Sequence, residues 1–209
     1  MLFPQAHYEI EFRCQFQNDQ AAYKVLPFLK ASFSKEYTWF DNYHGIEVYR
    51  RGEVLRASGV SGTAGKRFFL GWKGPDIGQF ANIRRELDEE TTGSIVNSSI
   101  MRQFCGLQKS WTTGEIALAL EHAGYPKFMS YEGHSLTGRD EKLGINTKLM
   151  HCAFLKWPLL VELEKLADSE NEARQCQKDL ESICHDYKLT QYLVKEEPGT
   201  LLYQATFEK

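Results

Sequence analysis

The chain has 209 residues, 42% hydrophobic and 25% charged, with a formal net charge of -3. That is ordinary for a soluble globular protein and long enough for one large domain; the balance leaves no whole-molecule reason to expect nucleic acid. The five cysteines, Cys14, Cys105, Cys152, Cys176 and Cys184, are widely spaced with no CxxC. This argues against a disulfide framework or a structural zinc site and for a reduced, cytoplasmic protein. We expect no secretory signal in MLFPQAHYEIE and no transmembrane helix, because no run of 18 apolar residues occurs.

YEIEFR, residues 8 to 13, alternates strictly, with Glu9, Glu11 and Arg13 on one face and Ile10 and Phe12 on the other. It predicts a strand from Tyr8 to Phe16. Asn18-Asp19 then offers a cap for a helix through DQAAYKVLPFLKASF, with Pro27 as a kink or break. KEYTWFDNYH reads as a strand; GIEVYRRGEVLRASGV reads as a turn or short helix, then a strand to Val60. SGTAG reads as a flexible loop, KRFFLGWKGPD as a strand stopped by Gly74-Pro75, and ANIRRELDEE as the next strand. Residues 97 to 123 read as mainly helical, with Thr113 capping EIALALEHAG. KFMSYEGHSLTG, INTKLMHCAFLKW and LLVELEKLA read as three more strands. Residues 168 to 186 predict a solvated surface helix, and the tail from Tyr192 fits no single element. No linker-like stretch interrupts the chain, so one domain over 1–209 is expected.

Three of these strands carry acids at i and i+2: Glu9/Glu11, Glu86/Asp88 and Glu162/Glu164. The side-chain period of 2 puts each pair on one face. Several strands carry cations in apolar surroundings: Arg13, Arg56, Lys73, Arg84 and Lys148. A wet sheet face explains any one pair. Glutamate is depleted in strands, however, and three acid rows would repel unless something cationic lay between them. A closed barrel with the charged rows pointing inward resolves this. Its acids could hold a divalent metal by hard oxygen ligands, and its cations could hold phosphate oxygens. Ile10, Phe12, Leu55, Leu87 and Leu163 would then face outward, under helices.

In this order, the motifs resemble a known family. YEIEFR is similar to the Glu-x-Glu-x-Lys signature of the CYTH superfamily, the triphosphate tunnel metalloenzymes. YTWFDNY, VLRAS, LGWKGP, RRELDE and LLVELE resemble its later strands, so the likeness runs from Tyr8 to Leu166. It implies an α+β fold: an eight-stranded antiparallel tunnel barrel, with helices outside. It also implies Mg²⁺ or Mn²⁺ on the acids Glu9, Glu11, Glu86, Asp88, Glu162 and Glu164, and triphosphate on Arg13, Arg56, Lys73 and Arg84, with Lys148 a further cation. Arg13 stands where the family usually has Lys, and Ser58 where a second Arg usually follows Arg56. The function expected is metal-dependent triphosphate hydrolysis, with Glu9, Glu11 and Arg13 catalytic. A class IV adenylyl cyclase and a non-catalytic polyphosphate- or nucleotide-binding module are the alternatives. The expected partner is a small-molecule triphosphate, with no membrane and no nucleic acid, and the protein a monomer or homodimer. His134, Arg139, His151 and Cys152 receive no role, and Trp39 or Trp72 could stack on a ring at the tunnel mouth.

Overall fold

The computed structural model describes residues 7 to 207. β1 (His7–Phe16) is the strand that YEIEFR predicts. The Asn18 side chain caps α1 (Asp19–Val25), accepting from the Ala21 N–H at 3.0 Å. The break expected at Pro27 is present: α2 (Leu29–Ser32) is a separate turn before β2 (Phe33–His44). α3 (Ile46–Arg50) precedes β3 (Val54–Gly62). SGTAG is not a flexible loop but a tight hairpin turn, with Gly62 and Gly65 paired in register at the start of β4 (Gly65–Lys73). Gly65 has φ of +96°, a conformation that suits glycine. β5 (Asn82–Glu90) follows.

Next come β6 (Ser94–Val96), α4 (Ser99–Cys105), β7 (Ser110–Thr112) and α5 (Thr113–His122). The β6–β7 pair has no forewarning in the sequence. The cap of α5 is Thr112, not Thr113: the Thr112 N–H donates to the Glu115 carboxylate at 2.8 Å and the Thr112 side chain accepts from the Glu115 backbone, forming a capping box, and the Thr112 hydroxyl also reaches the carboxylate at 2.8 Å. Thr113 instead donates its hydroxyl to the Thr91 carbonyl at 2.6 Å.

β8 (Lys127–Asp140), β9 (Ile145–His151) and β10 (Leu159–Ala167) complete the long strands. β9 stops short of the predicted strand's end because the chain turns there, with the Cys152 N–H donating to the Pro158 carbonyl. α6 (Glu170–Asp186), a 3-10 turn (Leu189–Tyr192), β11 (Leu193–Val194) and α7 (Pro198–Phe207) follow.

Hydrogen bonding runs β10-β9-β8-β2-β3-β4-β5-β1 and closes through β1–β10: an eight-stranded antiparallel barrel. Closure removes every free strand edge of the ring. The short β11 pairs with β1 at Arg13 and Cys14.

The described residues fall into two compact units. The first holds residue 7, Trp39–Asp76 and Arg84–Glu132; the second holds Tyr8–Thr38, Ile77–Ile83 and residues 133 to 207. In the second, Ile10, Phe12 and Leu163 pack with Ala173, Leu180 and Ile183 of α6. So α6 is amphipathic rather than merely solvated, and covers β10. In the first, Leu55, Leu70 and Leu87 pack under Ile100, Met101, Ile116 and Leu120 of α4 and α5. Each fully buried aliphatic side chain stabilises by about 1.5–3 kcal/mol.

Candidate functional site

In the second unit, register builds two polar rows across four strands. Arg13 of β1 lies opposite Glu162 of β10, then Lys148 of β9, then Thr137 of β8. Two positions along, Glu11 lies opposite Glu164, then Asn146, then Arg139.

The first row alternates in charge. Arg13 Nε donates to Glu162 at 2.7 Å, and Lys148 Nζ lies 3.3 Å from the other Glu162 oxygen. Arg13 also donates to Glu11 and, at 3.3 Å, to Asn82, with Glu197 at 4.0 Å. Arg13 is 1% exposed. Burial alone would lower its pKa, but Glu11, Glu162 and Glu197 outweigh it and hold the guanidinium firmly charged.

The second row is unbalanced. Glu11 and Glu164 are directly opposed like charges, which disfavours the pairing unless a cation intervenes. One oxygen each of Glu9, Glu11 and Glu164 lies within 4.8 Å of the other two. The Asn146 amide donates to Glu164 at 3.1 Å, and Arg139 Nη1 donates to Asn146 at 3.1 Å. Arg13 reaches Glu11, Glu162 and Glu197, and Lys148 reaches Glu162. A cleft of about 450 Å³ opens along these rows, lined by Lys35, Tyr37, Arg139, Lys148, Glu162 and Glu164.

In the first unit, Arg56, Gly71 and Asp88 stand in one row across β3, β4 and β5, and Lys73 lies opposite Glu86. Arg56 reaches Glu86 at 3.3 Å and both Asp41 and Asp88 at 3.8 Å; Lys73 reaches Glu86 at 3.4 Å. Gly71 makes this possible: a Cβ there would collide with the Asp88 carboxylate and stand 3.1 Å from Arg56 Nε. Ser58, two residues beyond Arg56 on β3, donates to Asp41 at 2.5 Å. Burial would lower the Arg56 pKa, but Asp41, Asp88 and Glu86 raise it further. Loss of part of its hydration raises the Asp88 carboxyl, although 39% of its side chain stays exposed; Arg56 pulls it back and Glu86 pushes it up, so the direction is upward.

The predicted site residues therefore separate. Glu9, Glu11 and Glu164 meet, whereas Glu162 sits between Arg13 and Lys148. Glu86 and Asp88 lie in the first unit with Arg56 and Lys73. Arg84 donates Nη1 to the Gly52 and Gly74 carbonyls, both at 2.9 Å, and so ties two turns. Trp39 is buried edge-on against Tyr131, and Trp72 donates to Glu53 at 3.0 Å. The Cys152 thiol, buried, is pushed up to about 12, which suits packing rather than chemistry. Sequence reasoning missed Asp41, Asn82, Asn146 and Glu197 as site residues. Asp41 lay inside the quoted YTWFDNY, and Asn146 is two residues from Lys148, hence on its face. Glu197 had no signal, because it precedes a helix in a tail of no clear pattern.

No family model and no curated protein matches the sequence. Solved structures do. The PH1819 protein from Pyrococcus horikoshii OT3 matches with a TM-score of 0.69 at 18% identity, over 94% of this chain and 99% of that one. A candidate adenylate cyclase from Vibrio parahaemolyticus matches with 0.66 at 14%, over 95% and 99%. HpAC1 from Hippeastrum, a candidate adenylyl cyclase described as having a dominant triphosphatase activity, matches with 0.53 at 13%, over 88% of each chain. At these identities the likeness is one of fold. Among the described residues, no helix is long and apolar enough to cross a membrane.

Proposed function

We propose that this chain is a divalent-metal-dependent hydrolase of a small-molecule triphosphate, cleaving a terminal phosphoanhydride. The observation that carries the reading is the gathered trio Glu9, Glu11 and Glu164, with Glu11 and Glu164 opposed in register, beside a polar cleft that also presents Lys148 and Arg139.

The residues fit the implied metal. Glu9, Glu11 and Glu164 offer hard carboxylate oxygens within 4.8 Å of one another, the donor type that would hold Mg²⁺ or Mn²⁺. Such an ion would neutralise phosphate charge and lower the pKa of bound water. Lys148, whose side chain is about a third exposed, and Arg139 offer donors to phosphate oxygens, where charge spreads during transfer. Within the first unit, Arg56 and Lys73 are paired with acids. Arg13 positions Glu11 and Glu162 by hydrogen bonds; being always charged, it takes no proton from water. That leaves a wall carboxylate as the proton acceptor.

The test is to incubate the protein with Mg²⁺ or Mn²⁺ and, separately, tripolyphosphate, thiamine triphosphate and ATP, and to identify the products. Phosphate release is expected, abolished by Glu11→Gln. Lys148→Ala should cost about 10²-fold in kcat/KM, the usual effect of removing one charge-stabilising donor. The neighbours described as candidate cyclases support a second reading, and cyclic nucleotide with pyrophosphate would establish it. Binding with no product would make the site a receptor.

A further inference from the structure

Two histidines outside this site face each other. His134 of β8 and His151 of β9 are direct register partners, and both alternate away from the row of Thr137 and Lys148. Their ring centres are 5.7 Å apart, with the planes tilted by 40°. His134 Nε2 lies 2.8 Å from the Glu36 carboxylate, and His151 Nε2 lies 3.5 Å from the Asp19 carboxylate. An ionised carboxylate only accepts hydrogen bonds, so the nitrogen facing it carries the hydrogen. At His134 this leaves the lone pair of the neutral ring on Nδ1, whereas the 3.5 Å approach of His151 to Asp19 is an ion-pair distance that fixes no tautomer. Metal-binding histidines are oriented as His134 is, each giving its other N–H to a carboxylate.

The spacing also fits. A zinc–nitrogen bond of about 2.0–2.1 Å puts the imidazole centre about 3.2 Å from the ion. Two rings on one ion then have centres about 5.2 Å apart at the tetrahedral angle and about 6.4 Å apart on opposite sides. The observed 5.7 Å falls between them. The side chains are 37% and 43% exposed, which leaves room for water in the remaining positions.

We propose that His134 and His151 form a binding site for a borderline divalent transition metal such as Zn²⁺, with Glu36 orienting the His134 ring. The site is distinct in chemistry from the carboxylate trio: imidazole nitrogen suits zinc, copper and nickel, whereas carboxylate oxygen suits magnesium and manganese. It stands whether or not the chain hydrolyses triphosphates.

The test is calorimetric titration of the EDTA-dialysed full chain with Zn²⁺ alone, with imidazole ¹⁵N shifts recorded in parallel. One equivalent should bind, shifting Nδ1 of His134 and His151. His134→Asn and His151→Asn should each weaken binding by at least about 10-fold, and Glu36→Gln by about 10-fold through its hold on the ring. Thermal melts check that these half-exposed positions leave the fold intact. The proposal is overturned if millimolar Zn²⁺ gives no heat, or if binding survives both histidine variants. It is equally overturned if binding disappears with Glu11→Gln or on alkylation of Cys105 and Cys176.

Discussion

Arg13 carries one positive charge among three carboxylates, Glu11, Glu162 and Glu197, and is almost wholly buried. Removing one member of a buried ionic cluster leaves the others unpaired in a poor solvent for charge. Arg13→Ala should therefore destabilise the protein by about 3–5 kcal/mol in urea unfolding. A loss below about 1 kcal/mol, the range of exposed ion pairs, would show that the cluster is solvated. Strand alternation in YEIEFR put Arg13 on the acid face. It could not show that the acids would take up the guanidinium, because Glu162 and Asn82 lie 149 and 69 residues away.

At the scale of the element, local chemistry was readable where the partners are close in sequence. Asn18 was legible as a cap and makes the expected hydrogen bond; Asn18→Ala should cost about 1 kcal/mol. At α5 the sequence reading was off by one, because Thr112 and Thr113 are equally good caps and only the position of Glu115 relative to the first turn separates them. The backbone N–H of Thr112, its hydroxyl and Lys109 hold the Glu115 carboxyl down at about 2. A depressed carboxyl contributes stability above its unfolded value of about 4.3 and loses it as pH falls through its folded value. Wild type should therefore be more stable than Glu115→Gln at pH 7, with the gap closing as the pH approaches 2. Urea midpoints at neutral and acid pH would check this, and a gap that persists at low pH would refute the charge effect.

For the whole molecule, the decisive contact is the β1–β10 pairing that turns an open sheet into a ring. It joins the first strand to the last long one, and its outward residues Ile10, Phe12 and Leu163 pack beneath α6. Leu163 is fully buried, so Leu163→Ala should cost about 2–5 kcal/mol in thermal or urea unfolding, by lost burial plus the cavity left behind. A much smaller loss would mean that this face is not packed as described. The strands were legible because alternation is a local signal, whereas ring closure is a long-range one that charged rows suggested only indirectly.

The amino-acid sequence alone determined which residues share a strand face, because a period of 2 needs no tertiary information. From that came the three acid pairs and the cations accompanying them; the barrel was suggested only by how those charged rows could coexist and by the family resemblance. Which acids meet was decided only in three dimensions. Register sets Glu11 against Glu164 and Arg13 against Glu162, so Glu9, Glu11 and Glu164 gather while Glu162 is spent between Arg13 and Lys148. The same register brought His134 and His151 together from strands whose sequences gave neither a role. Hydrogen-bond register between distant strands is a property of the closed sheet as a whole, and no single strand encodes it.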